Sequence, residues 1–81
     1  MLEKVIGLIY EVKEGSIERE KIDRKANMIT DIGVDSLQLV NLILLVEEEF
    51  GIEIDFDLFD YSVLKSVEKF VDFIERQIEG E

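Results

Sequence analysis

The residues best able to do chemistry are Asp35 and Ser36, which directly precede a long apolar segment. A serine at a helix N-terminus lies near unpaired backbone N–H groups and the positive end of the helix dipole, so a phosphate attached to its hydroxyl would be stabilised. The chain has no histidine and no cysteine, and no lysine lies near Ser36 in sequence. Ser36 thus lacks a base for a hydrolase triad and fits a substrate serine better than a catalytic one. The alternative is an ordinary N-cap.

Acidic residues form two groups that could suggest a metal site. An EF-hand loop starting at Asp55 would need glycine at its sixth position and glutamate at its twelfth, but Asp60 and Ser66 stand there. The acids at 47–49 have no identifiable distant partner that would complete a metal site. We therefore expect no metal centre, and we read 47–49 either as solvated charge or as a rim for docking to cations.

Composition limits the possible functions. The chain has 81 residues, which fits one domain over 1–81, and 47% of them are hydrophobic, which argues against disorder. The net charge of −11 argues against nucleic acid as a partner, because binding it requires clustered cations. The charge either steers the chain toward basic protein surfaces or only keeps it soluble. No apolar run is long enough to span a membrane and no signal peptide is evident, so we expect a soluble, cytoplasmic protein. We also expect a monomer.

The first part of the chain reads as a helix followed by a long loop. The apolar spacing predicts a helix over 2–14, ended by Gly15-Ser16. Residues 16–34 have no clean period, and a loop of this length is usually functional or disordered. Its aliphatic residues predict that it is held against the core; they are Ile17, Ile22, Met28, Ile29, Ile32 and Val34.

A second helix is predicted from Asp35 or Ser36 to Phe50, ending at Gly51. Asp35 and Gln38 have the spacing of a capping box. A short helix is predicted around Asp57–Asp60, and a last helix is capped by Ser66 and runs through Gln77. These elements predict an all-α fold, a small four-helix bundle with a long first loop and a short third helix.

The second helix has two apolar faces. At about 100° per residue, one face is the natural core face and consists of Leu39, Leu42, Ile43, Val46 and Phe50. A second stripe lies roughly 130° away; it consists of Leu37, Val40 and Leu44, with Asn41, Glu47 and Glu48 beside it. An apolar strip with a polar and acidic rim favours a protein-docking surface. The alternative is that the first loop covers this stripe. Leu45 belongs to neither face and is expected to pack under the loop.

The segment Gly33-Val34-Asp35-Ser36-Leu37 resembles the phosphopantetheine attachment motif of acyl carrier proteins. The resemblance extends over nearly the whole chain. Its further matches are Asp31-Ile32-Gly33 before the motif, 45–50 and 52–54 at the end and exit of the second helix, and Ser66-Val67 and Phe73-Ile74 in the last helix.

The resemblance implies a four-helix carrier that catalyses nothing itself. A phosphopantetheinyl transferase, usually with magnesium, would move 4′-phosphopantetheine from coenzyme A to Ser36, and the arm's thiol would carry the cargo as a thioester. Asp35 matches the family's acid beside the serine, which is important for transferase recognition. The partner-facing residues of the family correspond to Leu37, Val40, Leu44, Glu47 and Glu48. Partners would be acyl- or aminoacyl-loading and condensing or transfer enzymes with basic docking patches.

Two departures bear on the pathway. Fatty-acid carriers usually have acids where this chain has Gln38 and Asn41, and the region from 57 to 67 is bulkier and more aromatic than theirs. The chain looks more like a discrete carrier of a polyketide, nonribosomal-peptide or other specialised pathway. A fatty-acid carrier, a D-alanyl carrier and an unmodified helical interaction module are the alternatives.

Overall fold

A computed structural model describes residues 1–55 and 59–80. Within these ranges the chain contains three α-helices, two short 3-10 helices and no strand. The α-helices are α1 (Leu2–Val12), α2 (Ser36–Phe50) and α3 (Val67–Glu79), and the 3-10 helices are Arg19–Lys21 and Tyr61–Leu64. The all-α prediction is confirmed. The predicted count of four helices is not, because the described residues contain three α-helices.

The first helix ends two residues before the predicted end at 14. Lys13 caps it, and the next two residues, Glu14 and Gly15, have φ angles of 53° and 77°. A right-handed helix cannot continue through two residues in the left-handed region. Gly15 is therefore part of the break, as predicted. The helix ends before Gly15 is reached because Glu14 already adopts a left-handed conformation.

The loop 16–34 is held against the core, as predicted. Ile22, Met28, Ile32 and Val34 are buried, whereas Ile29 is exposed, contrary to the expectation that it helps to hold the loop. Three backbone hydrogen bonds join this loop to the start of α3 and the 3-10 helix before it: Met28 N–H to the Leu64 carbonyl (3.0 Å), Val67 N–H to Ala26 (3.0 Å) and Glu68 N–H to Arg24 (2.8 Å).

The predicted short helix around Asp57–Asp60 lies partly outside the described residues, and only its last two positions, which are not helical, can be compared. Asp57 lies outside the described residues, and Asp60 precedes the 3-10 helix Tyr61–Leu64 rather than ending a helix. The reason is local: the Asp60 carboxylate accepts a hydrogen bond from Ser62 N–H (2.7 Å), which makes Asp60 the cap of the following turn.

The last helix confirms its predicted start. Ser66 caps α3 by accepting a hydrogen bond from Lys69 N–H (3.1 Å), and the helix continues two residues beyond the predicted end at Gln77.

A single cluster of buried side chains holds the elements together, and α1 packs against both α2 and α3. The fully buried side chains at its centre include Ile9 of α1, Leu42 and Val46 of α2, and Phe70 and Ile74 of α3. None of the helices in the described ranges combines the length and apolarity needed to cross a bilayer. The core orients α2 so that its first residue and its second stripe remain outside it.

Candidate functional site

Ser36 is the first residue of α2, and Asp35, not Ser36, is the N-cap. The Asp35 carboxylate accepts a hydrogen bond from Gln38 N–H (2.8 Å), and the Gln38 side-chain oxygen accepts one from Asp35 N–H (3.2 Å). This is the predicted capping box. It also weighs against the reading of Ser36 as an ordinary N-cap, since the carboxylate already does what a capping hydroxyl would do. Ser36 itself is exposed.

The backbone before Ser36 is held by the conformation of Gly33 and by the burial of Val34. Gly33 has φ 80°, a conformation that favours glycine. The next residue, Val34, is buried, and its N–H donates to the Met28 carbonyl at 2.9 Å. Val34 thus anchors the loop in the core, while Asp35 and Ser36 emerge at the surface.

Lys13 is a member of this region that the sequence did not reveal. Its Nζ donates to the Gly33 carbonyl (2.9 Å) and to the Gln38 side-chain oxygen (3.2 Å). The chain separation of 20 to 25 residues hides this contact from any local pattern. The only available signal was a lysine directly after the apolar period of α1, which is too common to assign a role.

The second stripe is open. Leu37, Val40 and Leu44 are 71%, 50% and 57% exposed, so the first loop does not cover them. The polar neighbours Asn41 and Glu48 are exposed as well. On the opposite face Leu42, Ile43 and Val46 are buried, and Leu39 and Phe50 are half-buried. The predicted division of α2 into two faces is therefore confirmed as geometry.

Leu45 does not pack under the loop. It is half-buried and lines a shallow groove between α1 and α2 together with Leu8, Glu11, Glu48 and Glu49. The expectation for Leu45 was wrong because its position on the helix turns it toward α1.

Glu47 and Glu48 were both predicted to belong to the docking face, but their surroundings differ. Glu47 is half-buried, and its carboxylate accepts a hydrogen bond from Ile54 N–H at 2.8 Å. Its backbone carbonyl also accepts from Ile52 N–H at 3.1 Å. Glu47 thus closes the turn by which the chain leaves α2 at Gly51, whose φ of 65° confirms the predicted glycine end. The carboxylate of Glu47 therefore has a hydrogen-bond donor within the chain, whereas Glu48 is an exposed residue.

The carboxyl group of Asp60 has a lowered pKa. The hydroxyl and the N–H of Ser62 both donate to its carboxylate, and nearby Lys65 adds an attractive charge; together they hold the pKa of Asp60 below its ordinary value of 3.8. In the described ranges, no three acidic side chains converge in a way that could hold a metal ion. Asp60 is therefore read as a local cap.

The position of Ser36 is compatible with a phosphate attached to its hydroxyl. The hydroxyl belongs to an exposed residue at the first position of α2, where the helix dipole and the first-turn N–H groups favour a phosphate. The buried Val34 and the capping box restrain the backbone on both sides. A thiol, which this cysteine-free chain lacks, is what such an arm supplies when attached.

Comparison with known proteins agrees with these features. The family described as "Phosphopantetheine attachment site" matches residues 12–74, a range that includes Ser36. An acyl carrier protein from Buchnera aphidicola subsp. Acyrthosiphon pisum is 39% identical over 75 residues, which cover 93% of this chain and 89% of that protein. An acyl carrier protein from Thermosynechococcus vestitus is 36% identical over 78 residues, 96% of this chain and 91% of that protein.

These matches cover most of this chain and most of each relative, well beyond the five-residue motif. They imply a covalently attached 4′-phosphopantetheine and a non-catalytic role as the substrate of a phosphopantetheinyl transferase. The capped helix start, the exposed serine and the extent of the matches lead to one conclusion: this chain belongs to the acyl carrier protein family.

Proposed function

We propose that Ser36 is the attachment residue and that the chain holds acyl or aminoacyl intermediates as thioesters on its arm, delivering them to partner enzymes. The observation that carries this is the capping of α2 by Asp35, which leaves an exposed serine at the first helical position. Attachment would form a bond from Ser36 Oγ to the phosphorus of the arm, break the pyrophosphate bond of coenzyme A, and release adenosine 3′,5′-bisphosphate as the leaving group. The hydroxyl proton would pass to a base on the transferase, since this chain has no histidine.

Partner enzymes would dock on the second stripe. Leu37, Val40 and Leu44 supply exposed apolar area next to Ser36, and Asn41 and Glu48 supply a polar rim. A basic patch with an apolar centre complements such a surface. Because the Glu47 carboxylate is bound to Ile54 N–H, we assign Glu47 a smaller part in docking than Glu48.

The test is incubation with coenzyme A, magnesium and a promiscuous phosphopantetheinyl transferase, followed by intact mass measurement. We expect the wild-type chain to gain one phosphopantetheine, Ser36→Ala to gain none, and Ser16→Ala, which changes an exposed loop serine, to be modified normally. A folded wild-type chain that stays unmodified would overturn the proposal and favour an unmodified interaction module that uses the same stripe.

Two pathway assignments are supported by different observations. The relatives named acyl carrier protein, at 36–39% identity, favour an acyl cargo and are compatible with fatty-acid synthesis. Gln38 and Asn41, at positions where fatty-acid carriers usually have acids, favour a specialised pathway. In this chain, however, the Gln38 side chain is engaged by Lys13 and Asp35, so Asn41 is the more informative difference.

Loading by purified fatty-acid-synthesis enzymes separates the two. If the chain is a fatty-acid carrier, these enzymes should load and elongate an acyl group on the wild-type chain without any substitution. A specialised carrier should be elongated poorly, and Asn41→Glu should improve it several-fold by restoring rim charge. The matched control is Glu75→Gln on the exposed side of α3, which we expect to change neither result.

A further inference from the structure

Lys13 connects three segments that are distant in sequence. It caps α1, its Nζ donates to the carbonyl of Gly33 at 2.9 Å, and the same Nζ donates to the side-chain oxygen of Gln38 at 3.2 Å. Lys13 is half-buried, and a lysine can cover its aliphatic stem while its ammonium group reaches polar partners. A single cation thus joins the end of α1, the loop before Ser36 and the first turn of α2.

The Gln38 oxygen is the shared point of this network. It accepts from Lys13 Nζ and from Asp35 N–H, both at 3.2 Å, while Gln38 N–H donates to the Asp35 carboxylate at 2.8 Å. Removing the ammonium group would leave the carbonyl of Gly33 without this donor and would remove one of the two donors to the Gln38 oxygen. Of these two donors, Asp35 N–H alone would then hold the Gln38 side chain, so the hydrogen bond to Asp35 would be less well ordered.

Neutral oxygens are the partners of this cation. In the described part of the chain, the ion pairs are Lys4 with Glu49 (3.5 Å) and Arg19 with Glu3 (3.7 Å), and Lys13 has no carboxylate within ion-pair distance. A charged donor strengthens a hydrogen bond to a neutral acceptor. This charge is therefore used to fix backbone geometry and not to neutralise an acid.

We propose that Lys13 is a positioning residue for the modification of Ser36: it holds residues 33–35 in the conformation that presents the hydroxyl to the transferase. The proposal rests on the proposed function of Ser36. Without the ammonium group, the loop would occupy its competent conformation for a smaller fraction of the time. Apparent affinity falls in proportion to that fraction, so KM should rise while kcat at saturation changes little.

The experiment measures KM and kcat for phosphopantetheinylation of four chains. Lys13→Met keeps the aliphatic stem and removes the donors, and we expect KM to rise roughly tenfold. Lys13→Arg retains the charge and the donors and should recover most of the loss. Lys4→Met makes the same charge change at the other end of α1, at an exposed position, and should leave KM within about twofold.

Backbone amide hydrogen exchange supplies a readout independent of the transferase. Lys13→Met should increase exchange at Asp35 and Val34, with the amides of Ile74 and Val46 in the core unchanged. Gln38→Ala should raise KM in the same direction and combine non-additively with Lys13→Met, since both remove one network. If Lys13→Met does not fold, the Gln38→Ala and Lys13→Arg chains carry the test.

The outcomes are distinct. A KM for Lys13→Met equal to that of Lys4→Met, with unchanged exchange at Asp35, overturns the positioning role and leaves Ser36 as the attachment residue. A Tm loss without any change in KM reveals a purely structural role and also overturns the proposal. A folded wild-type chain that is never modified overturns the proposed function and this inference together.

Discussion

Glu47 and Glu48 are adjacent carboxylates with different roles in the molecule. Glu48 is exposed beside the second stripe, whereas the carboxylate of Glu47 accepts from the N–H of buried Ile54. A hydrogen bond to a charged acceptor is stronger than a neutral one, and an N–H left without its partner in a buried segment is costly. The two acids should therefore respond very differently to substitution.

Glu47→Ala should destabilise the chain by about 1–3 kcal/mol, because the Ile54 N–H loses its acceptor. Glu47→Gln keeps an acceptor oxygen and should cost less. Urea unfolding followed by circular dichroism measures both. Glu48→Ala is the matched control and should stay within about 0.5 kcal/mol of wild type; equal losses at 47 and 48 would refute the role assigned to Glu47.

Asp60 provides a pH-dependent test at the residue scale. The hydroxyl and N–H of Ser62, followed by Lys65, lower its pKa in the folded chain. A carboxyl group with a lowered folded pKa adds stability at pH values above its unfolded pKa, near 3.8, and loses that contribution as pH falls through the folded value. An NMR titration of the Asp60 carboxyl carbon should have its midpoint below 3.8, and Ser62→Ala should move it upward. Ser16→Ala should not.

Local and distant hydrogen bonds differ in how well sequence predicts them. The capping box follows from Asp35 and Gln38 being three residues apart, a spacing that local helix geometry fixes. Lys13 meets Gly33 across 20 residues, and its contact depends on how α1 packs against α2. No periodic pattern in the sequence predicts a contact between residues so far apart in the chain. The same holds for the Glu47 carboxylate, whose bond to Ile54 N–H exists only after the turn at Gly51 has formed.

At the scale of elements, α2 has more apolar surface than one small core can bury. Its spacing predicted both faces, because 3.6 residues per turn place side chains at fixed angles on any helix. The short helix predicted near Asp57–Asp60 had no such period behind it. Among its described residues Asp60 is a cap, and the 3-10 helix that follows has too few residues to establish a period.

Leu42 and Leu44 test this division of α2. Leu42 is fully buried, and Leu42→Ala should cost about 2–5 kcal/mol through lost burial and the resulting cavity. Leu44 is mostly exposed, and Leu44→Ala should stay within about 0.5 kcal/mol of wild type. Thermal unfolding by calorimetry compares the two.

The docking role proposed for the same stripe is tested by a second variant. Leu44→Lys should preserve helicity, since leucine and lysine have similar helix propensities, and should slow turnover by a partner enzyme with a basic patch through loss of apolar area and charge repulsion. Unfolding of Leu44→Lys would place Leu44 in the core, contrary to its exposure; unchanged turnover by every partner would remove it from the docking face.

At the scale of the whole molecule, a small apolar core opposes a large negative charge. The net charge is −11, and the two ion pairs between described residues join exposed side chains, which contribute little to stability. Self-repulsion therefore weakens the compact state, and the same field would favour association with the basic patches proposed for partner enzymes. Composition gives this net charge directly, because charge counts do not depend on the fold, but it leaves open whether the charge steers partners or only keeps the chain soluble.

Added salt should change stability and the rate of association in opposite directions. The screening length shortens from about 10 Å at 0.1 M to about 3 Å at 1 M ionic strength, so added sodium chloride should raise the urea midpoint and lower the second-order rate of association with the transferase. Glu48→Gln should reduce the salt dependence of that rate, because it removes charge from the rim of the second stripe. Glu75→Gln removes the same charge from α3 and should reduce it less. If both variants change the slope equally, net charge alone governs association, and the rim has no directing role.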